Sequence, residues 1–211
     1  MLKSPAIILA ILLVRPAVLI AADPVSVIVF PLDGSGANAS LAWLNEGIAI
    51  SISEQLEVPP LKAIDRSERV KLVENLDLPP GAQLSRASMI RVGQRADADL
   101  IVMGSYSGTE QNLSISLRVF DVRALRLGGE MVSNGPASAL PQMENELAWL
   151  ILRNKGLEQR LSRAKFQERV RKVPNQAFAY YVQSFGTSDE SEQKRLLLKA
   201  VQVFRDFPDA Q

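Results

Sequence analysis

The chain has 211 residues, 47% of them apolar and 22% charged, with a formal net charge of +1. That length accommodates one good core plus a smaller unit, and the balanced charge supplies no global field for nucleic acid or an anionic membrane. Cysteine and histidine are both absent, which removes disulfides, thiol nucleophiles, imidazole bases and the usual zinc ligands. Most hydrolase mechanisms thereby lose a necessary group, so the chain is expected not to be an enzyme and to need no cofactor.

Met1 to Ala22 reads as an export signal, with Lys3 as its positive region, Ala6 to Val14 as its apolar run and Ile20-Ala21-Ala22 as its small-residue end. Arg15 and Pro16 interrupt the run, and a charge near the centre of a spanning helix costs about 2.5–3.5 kcal/mol, so a cleaved signal and a periplasmic or otherwise exported product are expected. An uncleaved N-terminal anchor is the alternative. No cysteine follows the run, which argues against lipid anchoring.

Val25 to Leu32 is apolar almost throughout and predicts a central strand covered on both faces, ended by Pro31. Asp33 to Asn38 reads as a glycine-rich loop. Ser40 reads as the N-cap of a helix carrying Leu41, Leu44, Ile48, Ile52 and Leu56 at three- and four-residue steps. A short strand at Lys62–Ile64 leads to Asp65 and Glu68, the start of a helix through Val70, Val73 and Leu76 that Pro79-Pro80-Gly81 stops. Ser85 caps a further helix with Met89, Val92 and Ala96.

The most sharply patterned stretch is Ala96 to Arg123. A continuous apolar run, Leu100 to Met103, predicts a buried strand. After a turn over Gly108 to Asn112, Leu113, Ile115, Leu117 and Val119 alternate with Ser114, Ser116 and Arg118, the mark of a strand with one face on the core and one in water. A weaker strand follows near Leu127 to Ser133, broken by Asn134-Gly135-Pro136. A helix over Pro141–Asn154 presents Met143, Leu147, Leu150 and Ile151 to the core, with Gly156 just past its end. Leu157 to Lys172 carries many arginines and lysines and few apolar residues, and predicts a connecting helix with a solvated basic face. Beyond Pro174, two amphipathic helices, one with Phe178, Tyr181, Val182 and Phe185 and one with Leu196, Leu197, Ala200, Val203 and Phe204, form a helical hairpin.

Three segments resemble known envelope proteins. Val29-Phe30-Pro31 followed by Leu44-Asn45-Glu46-Gly47-Ile48 resembles the opening of the TolB N-terminal-like domain. Ile64-Asp65-Arg66-Ser67 with Val70 to Glu74 resembles a segment of curli-secretion and FlgO-like outer-membrane proteins. Ala96-Asp97-Ala98-Asp99 through Gly104-Ser105, then Leu113 to Arg123, is similar to the same family's hairpin, with Arg95 in place of a small residue and Arg123-Ala124-Leu125-Arg126 in place of its polar turn. The tail resembles a tetratricopeptide repeat in which Tyr180 takes the first-helix aromatic position, Ser184 the small position and Pro208 the closing proline, while Thr187, Ala200 and Val203 depart from the consensus. One such unit buries too little to stand alone, so either further repeats follow or this hairpin leans on the α/β unit. The resemblance implies a small mixed α/β sheet with flanking helices over residues 23–155, a basic linker over 156–173, a helical hairpin over 174–211, and no catalytic site.

Other motifs carry bland readings. Gly34-Ser35-Gly36 between strand and helix lacks the lysine and spacing of phosphate loops, and is read as a connecting loop. Asp97 and Asp99, two apart on an extended chain, share a side but have no third ligand nearby, and are read as a polar strand entry. Trp43, Trp149, Tyr180 and Tyr181 border helical apolar stripes and are read as packing aromatics. The function expected is protein–protein interaction in the cell envelope, through protein partners and without nucleic acid or small-molecule substrate, with Tyr180, Tyr181, Gln183, Arg163 and Arg169 as the candidate contact residues. The alternatives are a subunit of an outer-membrane secretion or assembly complex and the sensory part of a membrane-anchored regulator.

Overall fold

The computed structural model describes residues 24–75, 85–158 and 161–211. The segment read as an export signal, the Pro79-Pro80-Gly81 helix stop and Arg160 lie outside the described residues. The fold is mixed α/β, as the sequence pattern implies.

Five lanes make the sheet. Its centre is the antiparallel pair β4 (Leu100–Gly108) and β5 (Leu113–Asp121), in register from Leu100 opposite Asp121 to Gly108 opposite Leu113. Beside β4 run two parallel strands end to end: β1 (Val25–Val29) along its first half and β2 (Asp33–Ala37) along its second. Beyond β1 lies β3 (Leu61–Ala63), also parallel. Beside β5 run β6 (Arg126–Leu127) and β7 (Met131–Gly135), both antiparallel. The single weak strand expected there is split, and the break comes at Pro136, since Asn134 and Gly135 still pair with Ser114 and Leu113.

Period-two alternation sorts the side chains into two layers. Val27, Val29, Leu113, Ile115, Leu117 and Val119 meet helices α1 (Leu44–Leu56) and α4 (Leu140–Asn154) on one face. Ile28, Phe30, Ile101 and Met103 meet α2 (Arg66–Glu74) and α3 (Arg86–Arg95) on the other. β1 is therefore covered on both sides. The expected caps form: the Asp65 carboxylate accepts from the Glu68 N–H and the Ser85 hydroxyl from the Ser88 N–H. Gly156, at φ +67°, takes the left-handed position after α4.

Three expectations are corrected. Asp33–Ala37 is a strand, not a loop: the chain stays extended because β4 runs on beyond β1 and offers it a partner. Gly34 serves that pairing, because a Cβ there would lie 2.3 Å from Cζ of Tyr106. Ser40 is not an N-cap; Ala39–Leu41 forms a 3-10 turn and α1 begins at Leu44. Residues 157–172 do not form a connecting helix either. Among the described residues of this stretch only α5 (Arg163–Gln167) is α-helical, capped by Ser162 and pinned by Phe166, which is fully buried against Trp149. Of the arginines that suggested a solvated face, Arg163, Arg169 and Arg171 bond to α4 and α1, as described below.

The C-terminal helices α6 (Asn175–Ser184) and α7 (Glu190–Val203) pack against each other and onto the outer side of α1. Their shared core holds Phe178, Val182, Ala200 and Phe207 together with Ile50 and Trp43 from the α/β unit. The hairpin thus leans on the sheet unit. Among the described residues, no helix is long and apolar enough to cross a membrane.

Candidate functional site: the groove between α1–α2 and the helical hairpin

The groove begins with the Glu46-Gly47 pair of α1. Gly47 has no side chain to hold off the hairpin: a Cβ there would lie 3.0 Å from the Trp43 ring and 3.6 Å from Phe178, and the Trp43 and Phe178 rings meet edge to face at 6.2 Å. Glu46 draws in α2 by pairing with Arg69, which is buried and also donates to the Val29 carbonyl at 2.9 Å, and with Arg66 at 3.2 Å. Arg66 in turn lies over the Phe185 ring at 4.1 Å, joining α2 to the end of α6.

A second joint is centred on a fully buried carboxylate. Arg171, in the segment between α5 and α6, donates to the Val173 carbonyl at 2.6 Å and to Asn175 Oδ1 at 2.8 Å, stacks on Phe178 at 4.2 Å, and places its Nε 3.5 Å from Oε2 of Glu144 on α4. Glu144 is 0% exposed. Its Oε2 accepts from the Ser51 hydroxyl at 2.6 Å, while Oε1 accepts no hydrogen bond from the described residues. Asn145 continues the network to Gln55 and the Phe166 carbonyl. Arg169 donates to the Glu54 and Glu57 carbonyls and so caps the C-terminal end of α1.

Burial pushes Glu144 up from 4.5 to about 7, against the opposing pull of Arg171 and the Ser51 hydroxyl. In the folded chain the proton is thus held to higher pH than in the unfolded chain. The stability that follows is complete below about pH 4.5 and is lost as pH rises through 7. A Glu144→Gln variant is expected to flatten this dependence by about 3 kcal/mol between pH 4.5 and 8, read from urea unfolding at both pH values; an unchanged slope would refute it. Glu54 is also raised to about 7, by desolvation of its carboxyl among its neighbours and by the Asp209 charge, against the pull of Arg171. Glu54 is exposed, so solvent screens its part in stability and Glu144 carries the effect.

Between these joints the groove opens as two chambers that share Arg66 and Phe185. One, of about 770 Å³, is lined by Glu54, Glu57, Asp65, Arg66, Arg169, Tyr181 and Phe185 among others. The other, of about 640 Å³, is lined by Trp43, Glu46, Tyr180, Gln183, Arg195 and Lys199 among others. Four of the five candidate contact residues therefore meet here, Tyr181 and Arg169 in the first chamber and Tyr180 and Gln183 in the second. Arg163 does not join them: it pairs with Glu146 and lies over Trp149 on α4. Sequence reasoning missed Glu54, Arg195 and Lys199, whose only local signal is a polar helix face, and Arg66, which it noted only within a family segment.

No cluster of metal-ligating side chains occurs among the described residues. Asp97 and Asp99 are not a carboxylate pair: Asp97 sits at φ +50°, while Asp99 accepts from the Ser26 N–H and pairs with Arg123. The four aromatics weighed as contacts or packing are all half-buried.

No family model and no curated protein matches the chain. Solved structures do overlap it. The LpoB C-terminal domain from Escherichia coli covers 52% of this chain and 81% of its own length at 14% identity and a TM-score of 0.39. Lipoprotein GNA1162 from Neisseria meningitidis covers 53% and 79% at 15% identity and 0.45. TolB from Acinetobacter baumannii covers 74% of this chain but only 30% of its own at 12% identity and 0.35. A TolB structure thus stands among the neighbours, while the curli-secretion and tetratricopeptide resemblances have no counterpart in these three. At such scores the overlaps carry no functional argument, which rests on the groove.

Proposed function

We propose that this chain is a non-enzymatic protein-interaction module of the cell envelope that receives a partner segment in the groove between α1–α2 and the α6–α7 hairpin. The observation that supports it most is the groove's construction: both walls are fixed by inward-facing side chains, and half-buried Trp43, Tyr180, Tyr181 and Phe185 remain along it. Aromatic side chains at a fixed concavity supply contact area at low entropic cost. In this reading the α/β unit, the linker and the hairpin act as one platform. Export rests on the apolar start of the sequence, outside the described residues.

Photo-cross-linking tests it. A benzophenone side chain at exposed Gln183, compared with the same group at exposed Val132 on β7, is expected to give discrete protein adducts in cells only from the groove position. Identical adducts from both positions, or none from either, would overturn the proposal.

A further inference from the structure

We infer that the groove takes a polypeptide segment of mixed charge, seated with a basic side chain at the Glu54–Tyr181 end and an acidic side chain at the Lys199–Tyr180 end. This rests on the groove being the partner surface. The groove's own ions are unevenly spent. Arg66 is committed to Glu46 and to the Phe185 ring. At one end, the Glu54 carboxylate has no hydrogen bond or ion pair among the described residues; Asp209 lies within electrostatic reach of both Glu54 and Tyr181, and the Arg171 guanidinium, committed to Glu144 and Phe178, within reach of Glu54. A cation there would meet a carboxylate that has no ion-pair partner of its own and an aromatic ring together. At the other end, Lys199 faces the Tyr180 ring at 5.4 Å and has no carboxylate within salt-bridge distance among the described residues, the nearby Glu192 being paired with Arg195.

Opposite charges, each without an ion-pair partner among the described residues, at the two ends of an aromatic groove fit a polypeptide, which carries both signs within a few residues. A polyanion such as nucleic acid would be repelled at the Glu54 end whichever way it lay. The arrangement also fixes direction, since reversing the segment would oppose like charges at both ends.

The test uses the full chain at pH 8, with Glu54 ionised, and three small probes: the N-acetyl N-methylamides of arginine, glutamate and glutamine. Ring-proton NMR is expected to show the arginine probe shifting Tyr181 and the glutamate probe shifting Tyr180, each beyond the neutral glutamine probe. Glu54→Gln should weaken the first about fivefold and leave the second, and Lys199→Gln should do the reverse. Both charged probes acting at one end, or neither exceeding the glutamine probe, would overturn the inference. Groove-specific cross-links with no such charge sorting would leave the module reading standing and sink this one. Failure of the cross-links alone would fall on the module reading.

Discussion

Replacement of Arg171 by alanine is expected to cost about 3–5 kcal/mol at pH 8, because it leaves the buried Glu144 carboxylate without an ion-pair partner among the described residues. Arg171 is 6% exposed and Glu144 0%, so solvent cannot take over the neutralisation. The same substitution removes the guanidinium that stacks on Phe178 and ties Val173 and Asn175 together. Because Glu144 holds its proton up to about pH 7, the penalty should shrink at pH 5, leaving only the lost packing and hydrogen bonds. The double variant Arg171→Ala, Glu144→Gln should recover part of the loss at pH 8 while recovering little at pH 5. Urea unfolding of the three variants at both pH values reads this directly. A penalty independent of pH and of residue 144 would show that Arg171 acts by packing alone.

Phe178→Ala is expected to cost a similar amount, about 3–5 kcal/mol, with a fall in melting temperature of roughly 10 °C. Phe178 is 2% exposed and touches every part of the joint: Trp43 at 6.2 Å, Tyr181 at 6.2 Å and the Arg171 guanidinium at 4.2 Å. Its loss should free α6 from α1 and broaden the groove before the sheet melts. In a Trp149→Phe background, loss of the Trp43 near-UV signal at a lower temperature than loss of far-UV helicity would show this. Coincident transitions with a shift of only a degree or two would mean that the hairpin does not depend on this contact.

How much of this was legible in the sequence depends on where each signal lies along the chain. The β4–β5 pair was legible because Leu113, Ile115, Leu117 and Val119 carry their own period, and the caps at Asp65 and Ser85 because each acts three residues away. β2 was not. Its glycines read as a loop, and only Tyr106, far off in the chain, shows why Gly34 must be small. The linker misled for the same reason. Arg171 looks like one more surface cation until Glu144 is found buried opposite it, and a like-sized helical charge run carries no mark of that partner. In the groove, Tyr180 and Tyr181 stood out as aromatics beside a helical stripe, whereas Glu54 and Lys199 occupy ordinary polar faces and become distinctive only when the hairpin is set against α1. Arg163 shows the converse: a basic residue in the right segment whose partner, Glu146, lies on α4 instead.

The central claim is that the hairpin and the sheet unit form one cooperative body, with the groove a built feature between them. Native-state hydrogen exchange of the full chain tests it most directly. The amides of α6 and α7 should exchange at the same opening free energy as those of α1 and β4, and Phe178→Ala should lower protection in the hairpin first. Amides of α6 and α7 that exchange in wild type several kcal/mol more easily than α1 would contradict the account, leaving the hairpin an independently opening appendage and the groove a transient surface.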